Sequence, residues 1–415
     1  MLLVRRPRAL YAAFDRFPTR KGASTHIARF APALFEELGG GLLYVVGDER
    51  LPAHQVEGDV EIVRFSAPLP NLLDRAVAFG EHLARLLDEA EGGLEVAHFR
   101  DPWSGVPILE RPRRYATVYE VNALPSVELP DAFPSIAPRT LEKIRAAEAY
   151  CLEACDQVVT PSRTTRDFLA RRGVSFSKIE VVPNGADPVP PRPRPFEAPE
   201  AYLLYFGALQ PWQGVDVLFR AFARLADLPE LRLVVCGSAR SRNGRALEKL
   251  AEKLGLGERV LWRWELPPSE LEPWLSNAYL SVAPLKAGAR NVEQGCAPLK
   301  VLESLAAGVP VVASDLPPVR EIVTDGVEGK LVAPDRPAEL ARAIRVLLHV
   351  PALREEMAAA ARAKAARELS WERSIDLLRS VYRSLRPAAA TSPLTSRTVE
   401  DRHVRGTQGA PVPLA

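Results

Sequence analysis

Pro298-Leu-Lys-Val-Leu-Glu-Ser-Leu-Ala-Ala-Gly-Val-Pro-Val-Val-Ala-Ser314 reads as a short helix, a glycine stop and a buried strand. Leu299, Leu302, Leu305 and Ala306 fall at helical spacing, which makes one face apolar. Gly308 suits the left-handed position that ends a helix. Val309, Val311 and Val312 form the β-branched run of a parallel strand covered on both faces. Lys300 and Glu303 lie in the first turn and a half of this helix. A helix N-terminus offers free N–H groups and partial positive charge, which suits a phosphate. Lys300 adds a full charge there, and Glu303, about one turn deeper, is placed to accept hydrogen bonds from sugar hydroxyls. The spacing fits a nucleotide-sugar site.

Outward from this stretch, strand and helix patterns alternate along the chain, as in α/β architecture with parallel sheets. Strands are predicted at Ala9–Phe14, Leu42–Val46, Val60–Phe65, Val96–Phe99, Thr117–Val121 and Gln157–Thr160. Helices are predicted at Thr25–Leu38, Leu141–Ala154 and Thr164–Arg172, with Ser162 placed to cap the last. Six prolines crowd Pro188–Pro199 and predict a stiff interdomain linker. Strands Tyr202–Phe206, Leu231–Cys236, Val260–Trp264 and Tyr279–Ala283 follow, with helices Val215–Ala226 and Ala246–Leu254 between them. The expected domains are 1–187 and 201–370, joined by 188–200. A C-terminal helix over 371–386 is expected to cross back, ahead of a disordered tail at 387–415.

At 415 residues, two domains are the starting expectation. Net charge of +2 gives no argument for a nucleic-acid partner. Arg5, Arg6, Arg8, Arg16, Arg20 and Lys21 are either a patch for anionic lipid headgroups or ordinary solvated charges. No apolar run is long enough to span a bilayer, and Met1-Leu-Leu-Val lacks the makings of a signal peptide. The expectation is a cytoplasmic protein, with peripheral contact at the inner membrane face as an option. Cys151, Cys155, Cys236 and Cys296 show no zinc spacing and are expected to remain thiols.

Several blocks, in order, resemble the family 4 glycosyltransferases of GT-B fold. These are Lys21-Gly-Ala-Ser24, Val182-Pro-Asn-Gly-Ala-Asp187, Tyr205-Phe-Gly-Ala-Leu209 with Gln213-Gly-Val-Asp216, and Val234-Val-Cys-Gly237. Gly255-Leu-Gly-Glu-Arg-Val260, the opening stretch, Arg320-Glu-Ile-Val323 and Asp325-Gly-Val-Glu-Gly329 complete the series. The resemblance covers most of Ala9 to Leu385. It implies two Rossmann-like doubly wound domains facing across a cleft, the first for an acceptor and the second for a nucleotide-sugar such as a UDP- or GDP-sugar. It also implies retaining transfer to a glycan, a lipid-linked or a small-molecule acceptor, with no metal and no cofactor. The sequence departs from the pattern in three places. Glu303 matches the second of two motif glutamates, but Gly295 stands in the place of the first. Ala208 and Gln213 replace the Arg and Lys that usually grip the diphosphate. Pro298-Leu-Lys300 ahead of Glu303 resembles a subset with Pro-x-Lys there.

The diphosphate charge is therefore expected from Lys286, Arg290 and Lys300. Gly22 and Gly207 are expected to let backbone approach the donor, and Gln213, Gly295, Cys296 and Ala297 to line it. His98, at a strand end, is either a ligand for the transferred sugar or acceptor hydroxyl, or a hydrogen-bonded structural histidine. Glu120 and Asn122 are candidates for the acceptor or sugar. Trp262, Arg263 and Trp264 read as base neighbours or as packing. Two other functions remain open: a catalytically weak nucleotide-sugar-binding or scaffold protein, and a sugar-nucleotide epimerase.

Overall fold

The computed structural model describes residues 6–19, 22–90, 92–112 and 114–385. Two sheets organise them. The first contains β1 (Ala9–Arg16), β2 (Gly41–Val46), β3 (His54–Glu57), β4 (Val60–Phe65), β5 (Val96–Phe99), β6 (Ala116–Glu120), β7 (Gln157–Thr160) and β8 (Ile179–Val181). Their order is β3-β4-β2-β1-β5-β6-β7-β8, parallel throughout except for the β3–β4 pair. The second contains β9 (Tyr202–Gly207), β10 (Arg232–Gly237), β11 (Val260–Trp264), β12 (Leu280–Ala283), β13 (Val311–Ser314) and β14 (Gly329–Val332). Their order is β11-β10-β9-β12-β13-β14, all parallel. Both sheets are doubly wound and Rossmann-like. Ala9 through Ala13 are fully buried, as are Val311, Val312 and Ala313, because helices cover both faces of each sheet.

Sequence pattern and structure differ at element ends and in four helices that the pattern did not predict, Leu72–Glu89, Pro102–Leu109, Pro125–Ala132 and Pro268–Ser276. The first helix starts at Gly22 rather than Thr25, so Gly22 belongs to a helical turn and not to a preceding loop. The helix after β9 ends at Ala223, where the predicted one ran to Ala226. β3, β8 and β14 escaped the pattern, being only four, three and four residues long. Ser162 Oγ does accept from Thr165 N at 3.1 Å, capping the Arg163–Arg171 helix. Trp262 and Trp264 stack on each other with centroids 5.3 Å apart and pack against the second core.

The proline-rich segment between the sheets is pinned to the second half. Val189 N donates to Ala306 O, Arg192 pairs with Glu272, and Asn277 Nδ2 donates to Arg192 O. The helix Trp371–Leu385 returns to the first half, where Trp371, Leu378, Val381 and Tyr382 share a core with Ile27, Phe30 and Leu34. All four cysteines are buried thiols. Arg8 of the basic N-terminal group is committed to Glu95 and to Leu38 O. Arg5, Arg20, Lys21 and the 387–415 segment lie outside the described residues. No helix among the described residues is long and apolar enough to cross a membrane.

Candidate active site

In an open α/β sheet, ligands bind beyond the carboxyl ends of the strands where the strand order reverses. Those points fall between β1 and β5 in the first sheet and between β9 and β12 in the second. The strand ends meet across one cleft of about 520 Å³, lined from one side by Asp15 and Arg100 and from the other by Gly207 and Leu285. That volume suits a ligand of nucleotide-sugar size.

The wall from the second sheet is built on the Leu299–Ala306 helix. Pro298 precedes it without a side-chain cap, and Leu299 and Lys300 of the first turn line the cleft, while Val301 N donates to Pro298 O at 3.0 Å. Lys300 is 8% exposed. Its Nζ donates to Tyr205 OH at 2.9 Å and to Gln213 Oε1 at 2.7 Å, and lies 4.0 Å from the Tyr205 ring centroid. Both partners are neutral, and no carboxylate among the described residues lies within ion-pair distance of it. Burial pushes the Lys300 ammonium down to about 7; Cys296 and Glu303 oppose that shift and Arg290 adds to it. Burial likewise raises the Glu303 carboxyl to about 7, against the pull of Lys300. Gly207 has φ +110°, and a Cβ there would stand 3.7 Å from Lys300 Nζ.

Gln213, Cys296, Ala297 and Arg290 also reach the cleft. Gln213 supplies no charge; it holds Lys300. Arg290 leaves the Ala289–Gln294 π-helix and bonds through Nε to Glu128 of the first half, with its guanidinium 5.1 Å from the Trp212 ring centroid. Two residues expected here are elsewhere. Lys286 turns away to an ion pair with Asp216 at 2.9 Å and does not line the cleft. Gly295, at φ +85°, lies against the Arg163–Arg171 helix, where a Cβ would meet Thr164 Cγ2 at 2.9 Å. There it packs between the two halves, and it does not line the cleft.

The first-sheet wall differs more from expectation. His98 is fully buried, stacked on Tyr11 with centroids 4.6 Å apart, and absent from the cleft lining. It sits on the sheet face covered by the C-terminal helix, where Tyr382 OH meets its Nδ1 at 2.8 Å. Burial lowers its pKa despite Glu120 nearby, which favours the neutral ring. Here the ring is hydrogen-bonded within the core, to Tyr382 and Glu120. Glu120 is also buried, 1% exposed, behind the cleft surface. Desolvation works against its charge, but Arg100 and the two neighbouring histidines hold it well below the usual carboxylate range. Asn122 and Gly22 do line the cleft. Gly22 faces the opposite wall, where a Cβ would meet Leu299 Cδ1 at 3.3 Å.

Residues that sequence reasoning passed over fill the gap: Asp15, His26, Arg100, Asp101, Glu128 and Trp212 all line the cleft. Arg100 and Asp101 follow the β5 end directly, so the same strand-end signal that drew attention to His98 applied to them. Asp101 caps the next helix by accepting from Ser104 N at 2.8 Å, and also accepts from Phe14 N at 2.6 Å. Burial still raises its carboxyl to about 6.

Known proteins resemble this chain over most of its length. Residues 20–189 match the domain described as Glycosyltransferase Family 4, and residues 191–364 the one described as Glycosyl transferases group 1. D-inositol 3-phosphate glycosyltransferase 1 of Catenulispora acidiphila is 30% identical over 328 residues, spanning 74% of this chain and 75% of that protein. A relative of the same activity name from Geodermatophilus obscurus is 34% identical over 300 residues, 68% of this chain and 62% of its own. Among solved structures, sucrose-phosphate synthase from Thermosynechococcus elongatus superposes with TM-score 0.73 at 20% identity, covering 91% of this chain and 99% of its own. The Anabaena HepE protein in complex with UDP-glucose superposes with TM-score 0.71 at 17% identity, covering 90% and 99%.

Proposed function

We propose, for a chain that belongs to glycosyltransferase family 4 and has the GT-B fold, that it moves a sugar with retention from a nucleotide-sugar to an acceptor bound against the first sheet. The observation that carries this reading is Lys300: a buried ammonium at a helix entrance, held by two neutral groups and facing a cleft. A cation so placed is satisfied by an anion from outside the chain. A diphosphate there meets Lys300 and the first-turn N–H groups together. Glu303, half-buried on the same wall, takes the nucleotide ribose or the sugar hydroxyls. UDP is the first nucleotide to try, because HepE is solved with UDP and with UDP-glucose.

In this reading the bond from the anomeric carbon to the phosphate oxygen breaks while one to the acceptor oxygen forms. The acceptor's proton passes to the departing phosphate oxygen. Lys300 and the helix N–H groups stabilise the charge that grows there, an electrostatic role. Arg290 joins them once released from Glu128. No protein carboxylate is required as nucleophile, and the reaction is read as metal-independent.

Turnover of UDP-glucose with release of UDP tests the proposal. Lys300→Ala is expected to lower kcat about 10²- to 10³-fold, the scale of losing one oxyanion-type contact. Unchanged turnover in that variant overturns the assignment. Persistence of activity in EDTA checks metal independence. A second reading, a nucleotide-sugar-binding protein with little catalysis, draws on Ala208 and Gln213, which leave the diphosphate loop uncharged. Tight UDP-glucose binding by the unaltered protein without UDP release would favour it.

A further inference from the structure

Glu120 divides its two carboxylate oxygens between the core and the cleft. Oε2 accepts from Tyr11 OH at 2.7 Å and from His98 Nε2 at 3.1 Å, both fully buried. Oε1 accepts from Arg100 Nε at 3.0 Å and from Asn122 Nδ2, and His26 Nδ1 stands 3.2 Å from it. Arg100, Asn122 and His26 all line the cleft, whereas Glu120 does not. An ionised carboxylate only accepts, so His98 Nε2 is the donor and its Nδ1 accepts from Tyr382 OH. Arg100 continues outward, donating through Nη1 to Asp15 Oδ2 at 2.8 Å and to Ala23 O at 3.3 Å.

A buried charge of this kind adds little to stability compared with apolar packing of the same volume. What it does provide is fixed geometry. Two side chains from different parts of the chain, at the β5 end and in the segment after β6, share one anchor, and the His26 ring of the first helix stands beside it without a hydrogen bond from Nδ1. None of the donor-side groups, Lys300, Gln213 or Glu303, belongs to this network.

We infer that Glu120 is a positioning residue for the acceptor: it does not touch that molecule but holds Arg100 and Asn122 as one unit beside the His26 ring, with Asp15 oriented through Arg100. The unit presents donors (Arg100, Asn122) beside a carboxylate acceptor (Asp15), the pattern that neighbouring hydroxyls of a polyol satisfy. The inference rests on the transferase reading for what the unit binds.

Glu120→Gln tests it, because the amide keeps the shape and loses the charge. The probes are UDP-glucose and myo-inositol. The expected result is a kcat/KM for myo-inositol lower by about 10- to 100-fold, the usual effect of removing a group that orients ligating residues. The Kd for UDP should change by less than about twofold, since the donor wall is independent of the network. The Arg100 Nε–H, followed by NMR in arginine-labelled protein, should lose its protection from solvent exchange. A folded Glu120→Gln protein with unchanged acceptor kcat/KM, with an equal loss of UDP affinity, or with Arg100 Nε–H still protected overturns the inference. If the unaltered protein turns over no UDP-glucose, the transferase reading falls, and the Arg100 signal alone decides whether Glu120 fixes the unit. Should Glu120→Gln not fold, Arg100→Lys keeps the charge but loses the fork; unchanged acceptor kcat/KM there would equally overturn it.

Discussion

Arg290 of the second half bonds through Nε to Glu128 of the first, and the pair spans the cleft beside Trp212. The guanidinium that best supplements Lys300 is thus already occupied. A diphosphate entering the cleft competes with Glu128 for it. Glu128 is about one-third exposed, at 33%, so the pair is partly screened and its strength is modest. Glu128→Gln is expected to tighten UDP binding by up to about fivefold, since a partly exposed pair contributes up to about 1 kcal/mol. Arg290→Ala should weaken binding instead. Isothermal titration calorimetry on both variants reads the two signs, and a loss of affinity in Glu128→Gln would contradict the competition.

The Lys300 pKa of about 7 gives donor binding a pH dependence. A bound diphosphate favours the ammonium, so the pKa in the complex lies above that of the free protein. Between those two values binding takes up a proton, and UDP affinity falls as pH rises, by at most about tenfold per unit. Below pH 7 Lys300 is already charged, and this contribution levels off. Titrations from pH 7 to 9 in buffers of different ionisation enthalpy count the protons directly. The uptake should vanish in Lys300→Met. A flat affinity over that range in the unaltered protein would show that Lys300 does not meet the diphosphate.

The two-sheet plan was legible because buried parallel strands leave a β-branched signature and because each strand end is followed by a helix. Val60–Phe65, Val96–Phe99, Gln157–Thr160 and Val260–Trp264 could be bounded to the residue for that reason. The Lys300–Glu303 pair was legible too, since helical spacing alone puts both near one helix entrance. Side-chain direction was not. Alternation along β5 gives His98 and Phe99 opposite faces, but nothing local says which face the C-terminal helix covers. That helix is 284 residues away at its contact with His98. Lys286 and Gly295 failed for a related reason. Their partners, Asp216 and Thr164, lie far off in sequence, and Thr164 belongs to the other sheet's half.

Gly295 leads to a stability prediction that also bears on the missing motif glutamate. Its φ of +85° disfavours any L side chain, and a Cβ would press on Thr164 Cγ2 at 2.9 Å. Around it, Glu321 accepts from Arg163 N, Thr164 N and Thr164 Oγ1, tying the two halves together at the same place. Gly295→Ala should therefore cost about 1–3 kcal/mol, the scale of one strained backbone position. Gly295→Glu should cost at least as much. Urea unfolding measures both. If Gly295→Glu is as stable as the unaltered protein, the contact between the halves is looser than described.

Trp371 fixes the returning helix to the first domain. It is 4% exposed, edge-on to His26 with centroids 5.8 Å apart and to Phe30 at 6.2 Å, with the Arg29 guanidinium 5.8 Å from its ring centroid. Gly185 packs on its backbone, where a Cβ would meet Trp371 N at 2.5 Å. Trp371→Ala removes a buried aromatic that no neighbour can replace, and should destabilise the protein by about 3–5 kcal/mol. Leu377, on the same helix but 37% exposed, provides the comparison: Leu377→Ala should stay within about 0.5 kcal/mol. Because Trp371 also bounds the His26 ring, the Trp371→Ala protein that remains folded should lose acceptor kcat/KM while keeping its UDP Kd. Denaturant unfolding and steady-state kinetics on the two variants separate these effects. Equal stability losses at the two positions would mean that the helix is held by its length rather than by this docking point.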